Sequence, residues 1–368
     1  MKYFLLIAAV LLFSQKGHAN SGTLIFPDPD PASFLLVGNN EKEATAPNGL
    51  KDKDTGLIGE SPGVGIEANK WGLSLGYTKM SGYTQYEIGG MVEHDGITEF
   101  AYFPISRLRF PLNLYLLNVG ARIFPGNQFS FFTRFSINIT GNQGKMEDSD
   151  FFSTGELAIF SLSDTDLSAE SLEVGANFEI RRTENHSLKL VLGYLGQYFD
   201  YDVKNVIQWS PPRPDLEHFA HHGKVLEYNI TYHIPYFGAD LNITPGNKFD
   251  FGFFVHYSPF TFVRDKDDHI LREKRSKGKT DGNATRLGTR YFRTWGNSWF
   301  ATFWAEAIFI TTKGKNENVV YGGEFFGQRW TIEQDNQSRQ FSLSFRVGRK
   351  FGTVKCTEPC KNDLSKTN

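Results

Sequence analysis

The sequence predicts an all-β protein: a ten-stranded antiparallel transmembrane β-barrel with a polar interior. Three observations predict it. Apolar and polar residues alternate with a period of two along most of the chain, several such runs reach ten or more residues, and the links between them come in two sizes.

The alternation is clearest in three segments. In "FSFFTRFSINIT", Phe131, Thr133, Phe135, Ile137 and Ile139 share one face, while Phe132, Arg134, Ser136 and Asn138 share the other. "KFDFGFFVHY" sets Phe249, Phe251, Phe253, Val255 and Tyr257 against Asp250, Gly252, Phe254 and His256. "FSLSFRVGRKF" sets Phe341, Leu343, Phe345 and Val347 against Ser342, Ser344, Arg346 and Gly348. A soluble sandwich also alternates. Run length favours the barrel, because a tilted strand needs about 9–11 residues to cross the hydrocarbon layer. The stripes of Phe131, Phe251 and Phe341 are then a lipid-facing band and imply no cofactor.

Ten strands are expected, starting near 66, 97, 129, 172, 187, 225, 248, 285, 299 and 339. An even number closes an antiparallel barrel and leaves no unpaired edge in lipid. "FPGNQF" (124–129), "TPGNKF" (244–249) and "TWGNSW" (294–299) read as tight turns, with Gly-Asn supplying positive φ. Longer polar links are expected near 141–171, 203–224, 264–284 and 312–338. Short turns mark the periplasmic rim of such barrels and long loops the outer rim. The loops at 141 and 264 therefore belong together at the outer mouth, on the third and seventh of ten strands, nearly opposite each other.

The flanking segments fit a bacterial outer-membrane location. "MKYFLLIAAVLLFSQKGHAN" reads as a secretory signal peptide over residues 1–19. A polar lead (20–62), the barrel (63–352) and a periplasmic tail (353–368) follow. No later run has about 18 apolar residues, so no transmembrane helix is expected. A net charge of −2 argues against a nucleic-acid partner. Cys356 and Cys360, in "KCTEPC", suit a small disulfide in an oxidising periplasm and form a poor zinc site.

The chemistry-bearing residues concentrate in the two facing loops. "GNQGKMEDSDFF" carries Asp148 and Asp150, and "RDKDDHILREKR" carries Asp265, Asp267 and His269. If the strands continue above the membrane, residues at i and i+2 point the same way. Asp148 and Asp150 then face Asp267 and His269 across the mouth. Asp267 can fix the imidazole tautomer, and Asp148 can hold a water that His269 deprotonates for attack on a carbonyl. The same residues also suit a solvated acidic surface or a divalent-ion site for lipopolysaccharide.

In these stretches the chain resembles the omptins, ten-stranded outer-membrane proteases in which a His-Asp dyad faces an Asp pair. The resemblance runs from about 66 to 351. It is most specific in "GKMEDSDFF", in "KLVLGYLGQY", and from "LEYNITYHIPYFGADLNI" through "FGFFVHYSPFTFVRDKDDH" to "REKRSKGK". It implies that Asp148 and His269 hold the nucleophilic water, that Asp267 orients His269, and that Asp150 supports Asp148. Asp265 matches an acidic position that helps select basic substrate residues. Tyr86 stands where omptins carry a Glu at the floor of the pocket for a basic P1 side chain, and the neighbouring Glu87 is expected to point outward. This implies looser P1 selection. Of a lipopolysaccharide site, Tyr194 and Lys279 match, whereas Thr231 occupies the place of an Arg.

The expected function is a monomeric aspartic-type (Asp/His) endopeptidase that cuts cationic peptides or proteins outside the cell. It needs no cofactor or metal, and outer-membrane lipopolysaccharide is the expected lipid partner. An adhesin or purely structural barrel is the rival, since ten strands enclose too narrow a lumen for a porin. A lipid-A hydrolase lacks a Ser nucleophile signature. Glu217, His218, His221 and His222 in "EHFAHH" suit a transition metal by residue type but have no framing element, and are read as incidental.

Overall fold

The computed structural model describes residues 69–353, apart from 126–127, 142–143, 184, 246–248 and 296–297. The expected signal peptide, the polar lead and the cysteine-bearing tail lie outside the described residues. Eleven antiparallel strands are described: β1 (Asn69–His94), β2 (Ile97–Ile123), β3 (Phe129–Asn138), β4 (Gly144–Phe151), β5 (Leu157–Arg182), β6 (His186–Trp209), β7 (Phe219–Ile243), β8 (Phe249–His269), β9 (Lys274–Trp295), β10 (Trp299–Val320) and β11 (Arg329–Thr353).

The sheet closes on itself, because β1 pairs with both β2 and β11. The expected ten staves and the eleven strands reconcile at one place. β3 and β4 both lie between β2 and β5, with Val119↔Phe135↔Leu172 low in the wall and Leu108↔Asp148↔Ser161 above. The third stave is therefore interrupted between Asn138 and Gly144.

Lipid and water divide the outer surface. On the turn-proximal half, Leu73, Leu75 and Tyr77 of β1, Phe251, Phe253 and Val255 of β8, and Phe341, Leu343 and Phe345 of β11 are exposed. Leu192 is 68% exposed, which is natural in lipid and unfavourable in water. Towards the other rim the outward face carries ion pairs, such as Lys204–Asp166 at 2.6 Å, Lys224–Asp202 at 2.7 Å and Lys313–Asp335 at 2.6 Å.

The expected long loops are mostly strand. β5, β7, β9 and β11 begin at Leu157, Phe219, Lys274 and Arg329, ahead of the expected 172, 225, 285 and 339. Above the belt both faces of a strand are polar, so the apolar alternation fades while the hydrogen-bonded ladder continues. The full-length staves run 21–27 residues against the roughly 9–11 that a membrane crossing needs. More than half of the wall thus stands clear of the hydrocarbon. The connections at this rim are 95–96, 152–156, 210–218, 270–273 and 321–328. Asp95 and Gly96, with φ of 49° and 77°, form the two-residue turn that Asp-Gly favours.

The lumen is filled at mid-height. Phe110 stacks on Tyr228 with centroids 4.2 Å apart, and Tyr86, Tyr201 and Tyr232 are buried beside them. Gln197 and Gln340 exchange hydrogen bonds of 2.9 and 3.0 Å from β6 to β11. This packed layer separates an outer mouth from a chamber near the short turns.

Candidate active site

Strand parity sorts the acidic segment of β8. Asp265 and Asp267 alternate with Arg264 and Lys266, and only the first pair points into the barrel. Asp267 is fully buried and Asp265 is 5% exposed, whereas Arg264 lies on the outer wall. Asp268 faces outward, where Arg275 donates to it at 2.6 and 2.9 Å and the Tyr321 hydroxyl at 2.8 Å. The strand ends at His269, and the one-turn 3-10 helix Ile270–Arg272 reverses the chain into β9.

The His-Asp pair is formed. His269 Nε2 lies 3.0 Å from Asp267 Oδ2, with the His side chain 14% exposed and the Asp side chain 0%. An Nε2–H donating to Asp267 leaves Nδ1 with its lone pair available as a base. The Tyr86 hydroxyl, reaching from β1 on the far wall, donates to the same Asp267 oxygen. Burial, then the Asp267 charge, pushes the Tyr86 phenol well up, so Tyr86 is a permanent donor. Burial opposes the charge on Asp267, but the His269 charge and the hydrogen bonds from His269 and Tyr86 outweigh it and hold the carboxyl below its ordinary range. Oδ1 of Asp267 is buried and has no hydrogen-bond partner among the described residues.

Asp148 and Asp150 occupy β4, not a loop, and their alternation with Ser149 turns both towards the mouth. Tyr86, Leu108 and Asp148 lie on one rung across β1, β2 and β4. Ser106 Oγ lies 3.4 Å from Asp148 Oδ1. Burial first, and the Asp150 charge second, push the Asp148 carboxyl up to about 7. Asp267 acts on it electrostatically as well, so the acidic pair and the His-Asp pair share one site.

Asp265 lies one inward step below. Gln334 and Asn336 of β11 donate to its Oδ2 at 2.7 and 3.0 Å, while its Oδ1 is buried with no hydrogen-bond partner among the described residues. Burial pushes this carboxyl up to about 6. Glu87 is turned away from Tyr86, and Arg107 Nε donates to it at 2.5 Å.

Two cations at the mouth escaped the sequence reading. Lys274 is the direct register partner of His269, and Arg272 acts on Asp148. Burial lowers the Lys274 amine. Both belong to the "REKR" cluster, but which of its cations face the site depends on the turn at 270–272 and the β8–β9 register. Tyr86 as a partner of Asp267, 181 residues away in sequence, has no local signal at all.

Tyr194 and Lys279 meet a pocket on the outer wall, not the mouth. The Tyr194 hydroxyl bonds His233 Nδ1 at 2.6 Å, and His233, Phe262, Arg264 and Lys279 line the pocket. Arg264 is the register partner of Thr231, so a guanidinium stands one strand over from the position where the resemblance lacked one. Among the described residues no group of His, Cys, Asp and Glu could hold a metal ion, the "EHFAHH" stretch included.

A closed antiparallel barrel with a lipid belt, and an Asp-His pair set against an acidic pair at one mouth, defines a membrane β-barrel with a cluster of titratable side chains at its rim. The omptin family model matches residues 110–321, more than half of the sequence, and the chain belongs to the omptin family. This places it in the bacterial outer membrane. The outer membrane protease OmpT from Escherichia coli shares the fold, with 17% identity and a TM-score of 0.59 over 75% of this chain and 96% of that one. The translocator domain of the autotransporter NalP from Neisseria meningitidis gives 11% identity and a TM-score of 0.33 over 78% and 91% of the two chains. A search of curated proteins gave no match.

Proposed function

We propose that the protein is an outer-membrane endopeptidase that hydrolyses peptide bonds at the extracellular mouth of the barrel. The observation that carries the reading is the 3.0 Å contact of His269 with a buried Asp267, in electrostatic contact with Asp148 on the facing wall. Omptin membership and the likeness to a protease of the outer membrane agree with it.

In this mechanism a water lies between Asp148 and Nδ1 of His269. His269 removes its proton as the oxygen attacks the scissile carbonyl, and Asp267 stabilises the resulting imidazolium. Asp150 stands beside Asp148, and its charge makes the Asp148 carboxyl harder to ionise. Arg272 and Lys274 supply positive potential where the carbonyl oxygen becomes negative.

Asp148, Asp150, Asp265 and Asp267 favour a cationic segment of substrate on electrostatic grounds. Tyr86 does not replace the missing Glu as an anion, because its hydroxyl is committed to Asp267. P1 selection for Lys or Arg is accordingly loose, and cleavage extends to apolar P1 residues. The outer-wall pocket with Tyr194, Arg264 and Lys279 offers donors to a lipopolysaccharide phosphate, which tunes activity of the monomeric barrel in its membrane.

The test is cleavage of a fluorogenic peptide library by detergent-refolded protein, with and without lipopolysaccharide. Activity that disappears in both His269→Ala and Asp148→Ala supports the mechanism, and activity surviving both refutes it. A wild type inactive even with lipopolysaccharide shifts the reading to a non-enzymatic adhesin using the same rim.

A further inference from the structure

Below the packed layer, the lumen holds a second chamber of about 510 Å³, within the roughly 300–1,000 Å³ typical of small-molecule sites. Its lower wall includes Phe124, Thr183, His186 and Thr244, residues beside the short turns. Five arginines, Lys189 and Lys350 line it, against three carboxylates, Glu173, Asp240 and Asp250.

Those carboxylates are already engaged. Glu173 accepts from Arg134, from Arg286 at 2.9 Å and from the Tyr236 hydroxyl at 2.6 Å. Asp240 pairs with His256 at 2.9 Å, and Asp250 accepts from Thr244 at 2.6 Å. A balanced charge ladder needs no ligand, and Arg286 bridging Glu173 and Glu306 is one. Arg182 and Lys189 likewise pair with Glu179, at 2.6 and 3.8 Å, whereas the group around Trp304 is not balanced.

The imbalance centres on Arg346. Its Nε and Nη2 are buried without a hydrogen-bond partner among the described residues, as is the indole Nε1 of Trp304. Arg134, Arg290 and Arg346 surround the Trp304 ring with guanidinium carbons 5.2, 5.5 and 5.3 Å from its centroid. Arg290 Nη2 donates to the amide oxygen of Asn242, at 2.5 Å, a neutral acceptor. Gly76 leaves the room this needs, because a Cβ there would lie 2.3 Å from Arg346 Cγ. Clustered guanidiniums repel one another in a low-dielectric interior, and unsatisfied buried donors are expensive. Both are relieved by an anion with several oxygen acceptors, which the planar fork of Arg matches in pairs.

We propose that this chamber is a binding site for a small polyvalent oxyanion, carrying two or more phosphate or carboxylate groups, that enters from the periplasmic side and is held by Arg346, Arg290, Arg134 and the Trp304 N–H. The site is independent of the acidic mouth, which lies across the packed layer and has the opposite charge.

Equilibrium dialysis of the full chain refolded in detergent, at low ionic strength, with radiolabelled pyrophosphate tests it. Saturable binding of a single equivalent is expected, displaced by citrate and by added salt. Arg346→Gln should weaken it by about tenfold or more, the usual worth of a charge-assisted hydrogen bond. Arg122→Gln, which removes a lining guanidinium stacked on Phe132, should weaken it in the same direction and serves if Arg346→Gln fails the heat-modifiability check for a folded barrel. Arg107→Gln, on the outer wall, should bind as wild type. The proposal is overturned by no saturable binding to wild type, by binding that survives both chamber substitutions, or by equal loss in Arg107→Gln.

Discussion

Replacing Asp148 with Asn should make the barrel more stable while it removes activity. Asn keeps the shape of the side chain and the acceptor facing Ser106 Oγ, so no cavity forms. It removes a carboxyl that burial and Asp150 push from the ordinary 3.8 up to about 7. Between those values the folded protein holds a proton that the unfolded chain has lost. Wild-type stability therefore declines as pH rises from about 4 to 7 and is flat above. At about 1.4 kcal/mol per pH unit that interval amounts to about 4 kcal/mol, and water entering the open mouth reduces it to about 2–4 kcal/mol. Asn does not titrate, so the variant escapes the loss. Urea unfolding of protein refolded into lipid vesicles, followed by tryptophan fluorescence, should show Asp148→Asn ahead by that amount at pH 8 and nearly level with wild type at pH 4. A variant no more stable than wild type at pH 8, or a gap that does not close at pH 4, refutes the assignment of a strained, half-buried carboxyl. Functional sites commonly carry such a stability deficit.

Further outcomes follow from the same geometry. His269→Ala should lower the peptidase rate about 10²–10⁴-fold, the usual worth of a general base, with heat modifiability on a gel unchanged because His269 lies at the open rim. Asp267→Asn should cost less than His269→Ala, since an amide still holds the ring but does not stabilise its cation; a larger loss in steady-state kinetics would contradict this order. Tyr86→Phe keeps the ring stacked near Phe110 and Tyr228 but removes a donor from Asp267, and should lower kcat by about tenfold, corresponding to about 1–2 kcal/mol. An unchanged kcat would show that the Tyr86–Asp267 bond plays no part in turnover. Activity should fall as pH drops through about 7, where Asp148 becomes protonated. Asp150→Asn, by removing the neighbouring charge, should move that acid limb to lower pH in a pH–rate profile.

Sequence alone determined what depends on local parity. The period-two pattern identified a membrane barrel, and the pairs Asp148/Asp150 and Asp267/His269 were legible because residues two apart on a strand face the same way. The tight turns at 124–129, 244–249 and 294–299 oriented the strands and sent both pairs to one rim. Strand length above the membrane was not legible, since a ladder with polar residues on both faces looks like a loop until its hydrogen-bonded neighbours are seen; β4 and the upper parts of β5, β9 and β11 were missed on that ground. Contacts across the lumen were equally hidden. Tyr86 meets Asp267, Lys274 stands opposite His269, and Arg134, Arg290 and Arg346 gather around Trp304 only because closure and register bring distant strands together. Parity fixes which way a side chain points, whereas what it meets there is decided by barrel closure and the register between strands.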